Sequence, residues 1–163
     1  MTWTVAPEPP ESPAAVALWR AYYTEVSDRY YLLHEGRRTD PAELEREIAA
    51  VTWDELRPPK GTLLVARYAG EAAGCAGVRL LDAETAELKR VFVDEARRGT
   101  GGGAVLVRAA EDAARAYGAT RMILDTRHDL TEARALYTHL GYEETPPHND
   151  EPYAEHWFTK ALH

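Results

Sequence analysis

The segment at residues 94–103, DEARRGTGGG, constrains this chain more than any other. It stands between a strand-like run, AELKRVFV, and a run with helical spacing, AVLVRAAEDAARAYGA, so a strand leads there into the first turn of a helix. The N–H groups of that turn have no partner inside the helix, and the helix dipole adds partial positive charge, so the spot favours an anion. Lys89, Arg90, Arg97, Arg98 and Arg108 gather around it in sequence. The whole chain is acidic, with 19 Lys and Arg against 27 Asp and Glu and a net charge of -8. That balance excludes general binding to nucleic acid or anionic membranes, so a phosphate must be held locally.

At 163 residues the chain is expected to be one domain, residues 1–163, around a single core. The start, MTWTVAPEPPESP, has neither the basic flank nor the apolar run of a secretory leader, and no stretch suits a membrane span. A cytoplasmic location is the expectation. Residues 2–5 suit a short first strand. Beyond Pro13, Leu18, Trp19, Tyr22, Tyr23, Val26, Tyr30 and Leu33 recur at helical steps, and Gly36 suits the end of that helix. Asp40, Pro41 and Glu43 read as N-cap, first helical position and capping-box acid of a second helix reaching about Ala50. Residues 52–61 read as loop.

From Thr62 the period becomes strand-like: TLLVARY, CAGVRLL and AELKRVFV are joined by short turns and predict an antiparallel meander. The helix after the glycines shows Val105, Leu106, Ala109, Ala113 and Tyr117 on one stripe, closed by Gly118. RMILDT follows as a strand that must run parallel to AELKRVFV through a right-handed crossover. A last helix at residues 131–140, capped by Gly141, precedes two closing strands in YEETPP and HWFTKAL.

Three phosphate-binding families compete for the glycine loop. The run at residues 99–104 fits the dinucleotide pattern G-x-G-x-x-A, but Glu87, Lys89 and Arg90 sit in a preceding strand that would have to be buried on both faces. No Gly-Lys-Ser/Thr tripeptide exists for a P-loop. Arg98-Gly99-Thr100-Gly101-Gly102-Gly103 matches the signature R/Q-x-x-G-x-G/A, and with AELKRVFV before it and ARALYTHLGY after it the chain resembles the GNAT superfamily of N-acetyltransferases over residues 62–142.

The resemblance implies an α/β (α+β) fold: a mixed, mostly antiparallel sheet of about six or seven strands with about four helices, and a parallel strand–helix–strand unit that holds acyl-CoA. It implies acetyl-CoA as co-substrate, with the pyrophosphate on the amides of Arg98, Gly99, Thr100, Gly101, Gly102, Gly103 and Ala104. The pantetheine arm would lie on backbone groups of Val91, Phe92 and Val93. It implies acetyl transfer to the amine of a small molecule, amino acid or peptide in a ternary complex. A non-catalytic acyl-CoA-binding module is the first alternative, and a nicotinamide-dinucleotide domain the second.

Transfer from a thioester to an amine needs a neutral nucleophile, an oxyanion site and a proton for the leaving thiolate. Tyr137, in the Leu-Tyr-x-x-Leu-Gly-Tyr helix end, matches the family's proton donor, and Glu87, eleven positions before Arg98, matches the base of some members. Relatives often carry an asparagine about two turns before the tyrosine, where this chain has Leu130 and Thr131. By the same resemblance the acceptor meets the first helical region and the closing strands, which offer Tyr30 and Tyr31 on one side and His148, Asn149 and Tyr153 on the other. Cys75 reads as packing between glycines, and the six histidines lack metal-ligand spacing, so no metal is expected. Sequence leaves open whether the chain is a monomer or a homodimer.

Overall fold

The structure is a computed structural model that describes residues 2–163. A seven-stranded sheet has the order β1-β2-β3-β4-β5-β7-β6. Its strands are β1 Trp3–Pro7, β2 Gly61–Tyr68, β3 Glu71–Leu80, β4 Thr85–Val93, β5 Arg121–Thr126, β6 Glu143–Thr145 and β7 His156–Ala161. Every neighbouring pair is antiparallel except β4 and β5. This is the expected mixed sheet, and it is not the doubly wound parallel sheet of a dinucleotide domain.

The helices are α1 Pro13–Glu35, α2 Pro41–Ala50, α3 Gly102–Ala116 and α4 Thr131–His139. The start and stop chemistry works as the sequence predicts. Asp40 accepts from the Glu43 amide at 3.1 Å, Ser12 caps α1, and Gly36 ends it in a left-handed conformation. The loop at residues 52–61 contains a short 3-10 turn, Asp54–Leu56, whose Leu56 plugs the sheet.

Strand alternation sorts the core onto two faces. Leu64, Ala66, Val78 and Leu88 meet α3 and α4 through Leu106, Val107 and Tyr137, while Leu63, Val65 and Cys75 meet Ala15 and Leu18 of α1. The buried stripe of α3 is Leu106, Val107, Ala110 and Ala114, rotated from the predicted one, since Val105, Ala109 and Ala113 are only half-buried. On α1, Leu33 is 62% exposed and leaves the predicted apolar face. Leu32, His34 and Glu35 are exposed with it, so the last turn of α1 is in solvent.

One irregularity shapes the site. In the β3–β4 ladder, Gly77 faces Lys89 and Cys75 faces Phe92, so β4 carries one extra residue. Arg90 occupies that bulge with φ 55, left-handed for a non-glycine residue. The extra residue inverts the alternation: Leu88 faces α3, and Phe92, four positions later, faces α1.

Candidate active site

The parallel β4–β5 pairing is short. Thr85 pairs with Arg121, Ala86 with Met122 and Glu87 with Ile123, and then the ladder ends although both strands continue. Beyond Glu87 the β5-facing edge of β4 opens into a cleft of about 500 Å³. Val91, Phe92 and Val93 line it, as do Arg98, Gly99, Gly101, Gly102, Gly103 and Ala104 of the loop and Tyr137 of α4. The bulge at Arg90 follows directly on the end of that pairing, and bulges commonly re-aim strands beside functional sites.

The loop leaves its amides bare from Gly99 onward, whereas the Arg98 amide, expected among them, donates to the Glu95 carbonyl at 3.3 Å. Among the described residues, the main-chain N–H groups of residues 99–104 have no acceptor in hydrogen-bond distance, and the first helical bond runs from Val105 to the Gly101 carbonyl at 3.1 Å. Gly101 takes φ 89, which only glycine adopts cheaply. Gly102 is required for another reason: a Cβ there would stand 2.4 Å from the Trp3 ring. Thr100 does not line the cleft. Its hydroxyl donates to the Arg97 carbonyl at 2.5 Å, and the Trp3 indole donates to the Thr100 carbonyl at 3.2 Å, bracing the loop from behind.

The expected ring of basic side chains is mostly engaged elsewhere. Arg98 binds both oxygens of Glu25 at 2.7 Å and the Val93 carbonyl at 3.0 Å, which fixes the loop to α1 and β4. The Arg90 guanidinium lies between Trp19 and Trp53, 4.9 and 4.4 Å from their centroids. The anion-binding capacity of the loop thus rests on main-chain donors, and those donors fit a pyrophosphate.

Tyr137 is 6% exposed and lines the cleft, with no protein partner within hydrogen-bond distance of its hydroxyl among the described residues. Burial, reinforced by Tyr22 and Asp125, pushes its phenol well above the usual tyrosine range, so it stays a proton donor at neutral pH. Glu87 also lines the cleft, but its side chain is 5% exposed and Arg79 Nε donates to Oε1 at 2.7 Å. Its partner is therefore Arg79 and not Lys89, which sits 3.9 Å from Glu55.

A second cavity, about 540 Å³, adjoins the first, and Tyr22, Val26, Asp125, Thr126 and Leu130 line both. Tyr30, Tyr31 and Tyr153 come together in it, with Tyr30 and Tyr153 edge-on at 5.3 Å. Asn149 stands behind it: its amide donates to Asp125 Oδ2 at 2.8 Å while its carbonyl accepts from the Trp157 indole at 2.9 Å. His148 is exposed and lines neither cavity. Sequence reasoning passed over Asp125. The available signal was a carboxylate at the carboxyl end of a parallel strand, where α/β proteins place their ligands.

Other groups fall outside the chemistry. Cys75 is buried, and desolvation pushes its thiol up to about 12. No group of three metal-ligating side chains occurs among the described residues, and no helix there is long and apolar enough to cross a membrane.

A sheet opened between two parallel strands, with a bare-amide loop at one end and a buried phenol at the other, forms the cleft of this mixed α/β fold. The family model described as "Acetyltransferase (GNAT) family" matches residues 16–142, and the chain belongs to that family. A protein of Azospirillum brasilense named IAA acetyltransferase is 32% identical over 146 residues, 88% of this chain and 86% of that protein. An uncharacterized N-acetyltransferase of Schizosaccharomyces pombe is 35% identical over 97 residues, 58% of this chain and 60% of the yeast protein, so the match spans less than two thirds of it. Among solved structures, a GNAT-family acetyltransferase from Staphylococcus aureus superposes with TM-score 0.76 at 14% identity, over 99% of this chain and 100% of that one. One from Elizabethkingia anophelis, with acetyl-CoA bound, gives 0.63 at 20% identity over 98% of each chain. At those identities the two structures speak for the fold.

Proposed function

We propose that the protein transfers the acetyl group of acetyl-CoA directly to an amine in a ternary complex. The observation that carries this reading is the end of the β4–β5 ladder at Glu87 and Ile123, which opens one continuous path from the bare amides of residues 99–104 to the Tyr137 hydroxyl. Main-chain donors of the loop hold the diphosphate, and main-chain groups of Val91, Phe92 and Val93 hold the pantetheine arm, as strand edges hold extended ligands.

The residues then divide the proton work. An amine with a pKa near 10 arrives protonated, and Asp125, oriented by Asn149 and shared by the two cavities, takes one proton from it. The freed lone pair forms the C–N bond, a β4 main-chain N–H meets the oxyanion, and the C–S bond breaks. Tyr137 gives its proton to the departing sulfur and recovers one from the attacking nitrogen, which must lose its second proton to become the neutral amide, while Asp125 releases the first proton to solvent. We assign the base role to Asp125 over Glu87 because the Glu87 carboxylate is held by Arg79. Tyr30, Tyr31 and Tyr153 form the acceptor side.

Acceptor-dependent release of free thiol from acetyl-CoA, measured over a panel of amines, tests the reading. Release that needs both an amine and Tyr137 supports it. Stabilisation by coenzyme A with no release on any amine would leave a binding module, and stabilisation by NAD alone would leave a dinucleotide domain.

A further inference from the structure

Resting on the acetyl-transfer reading above, we propose that the acceptor is a linear diamine or polyamine, with one amine at Asp125 and a second ammonium held by Glu43 and Glu47. The second cavity supplies the argument. Its inner wall is the one shared with the cleft, and there Asp125 lines both, whereas Tyr137 lines the cleft alone. Its outer wall comes from α1, α2 and the loop before β7, and there Glu43, Glu47 and Glu151 line the cavity without touching the cleft.

These carboxylates are not neutralised by the protein. Asp125, Glu43, Glu47 and Glu151 make no ion pair among the described residues. Glu45, on the same helix as Glu43 and Glu47, is paired with Arg20 at 2.7 Å. The cation that lines the cavity, Arg127, is already bidentate to Asp129 at 2.9 Å and donates to the Val26 carbonyl at 2.7 Å. The neighbouring phenols respond to these carboxylates, Tyr31 first through a hydrogen bond to Glu43. Glu43 pushes Tyr31 up to about 12, and burial raises Tyr23, with Glu47 the next cause.

Between the two acidic ends the walls are aromatic, from Tyr22, Tyr23, Tyr30 and Tyr153. Aromatic faces with carboxylates recognise organic ammonium groups joined by a methylene chain. An anionic acceptor would meet four carboxylates there. A monoamine would satisfy Asp125 and leave Glu43 and Glu47 uncompensated.

The test is calorimetric titration of the protein saturated with coenzyme A, using α,ω-diamines from 1,3-diaminopropane to 1,8-diaminooctane and the monoamine of each length. The best diamine is expected to bind about tenfold or more tightly than its monoamine, as one added charge-assisted contact allows. That advantage should vanish in Glu43→Gln/Glu47→Gln, with helix content by circular dichroism and coenzyme A affinity unchanged. Equal affinities for diamine and monoamine, or an advantage that survives the double substitution, would overturn the proposal. Thiol release separates the two readings. Turnover of monoamines with no diamine preference removes the diamine site and keeps acetyl transfer, whereas tight diamine binding without turnover keeps the site and removes transfer.

Discussion

Arg79 and Glu87 face each other as register partners on β3 and β4, and the guanidinium continues to Glu55 Oε1 at 2.6 Å. The Glu87 carboxylate is thus part of a buried structural pair at the closed end of the cleft. Glu87→Gln is expected to lose about 1–3 kcal/mol of stability, read by chemical denaturation, because Arg79 keeps Glu55 but loses its buried partner. Its kcat should stay within about threefold of wild type, while Asp125→Asn lowers kcat about a hundredfold or more. The opposite ranking would return the base role to Glu87.

Tyr137→Phe should reduce kcat by about ten- to a hundredfold, with coenzyme A affinity retained. Because the folded phenol titrates above its ordinary value near 10, it remains protonated through neutral and mildly alkaline pH. The ratio of wild-type to variant rate is therefore expected to stay flat from about pH 7 to pH 10. A ratio that decays towards one by pH 9 would show that the phenol ionises early or gives no proton.

Alkaline stability should report the buried thiol. Cys75 is pushed up to about 12 by burial, against about 8.5 in the unfolded chain. A folded value above the unfolded one gives stability that is complete below the unfolded pKa and is lost as pH rises towards the folded pKa. Wild type should accordingly lose stability between about pH 8.5 and 10 faster than Cys75→Ala does, by urea denaturation at each pH. Below that window the native thiol should resist iodoacetamide until the chain unfolds.

Gly102→Ala places a methyl group 2.4 Å from the Trp3 ring, so the indole or the loop must move. A loss of about 1–3 kcal/mol is expected, together with weaker coenzyme A binding, since the same loop presents the amides. Trp3→Ala combined with Gly102→Ala should recover part of the lost stability relative to Gly102→Ala alone.

Most strand and helix boundaries were legible because local chemistry sets them, but β3 starts at Glu71, four residues before the expected CAGVRLL. Asp40, Gly36 and Gly141 act at the chain ends of helices, and RMILDT is β5 residue for residue. The cleft's loop and Tyr137 were legible through spacing and family resemblance. The bulge at Arg90 was not, because it is a mismatch between two strands, whose one-dimensional trace is the consecutive polar pair Lys89-Arg90 that breaks the alternation of AELKRVFV. Side-chain partners were hidden for the same reason. That Glu87 meets Arg79, Arg98 meets Glu25, and Asn149 holds Asp125 depends on register across the sheet and on loop packing. His148 and Asn149 are adjacent in sequence, yet only the latter turns inward.

Tyr22 and Asp125 are walls of both cavities, whereas α2 and the loop before β7 touch only the outer one. Under the proposed assignment, chemistry and choice of partner are therefore wired to different stretches of chain. Drift in α2 can retune which molecule is accepted while the transfer step keeps running, but drift at position 22 or 125 disturbs both together. Descendants of this protein that diversify their substrates should carry their changes around residues 43–47 and 151–153.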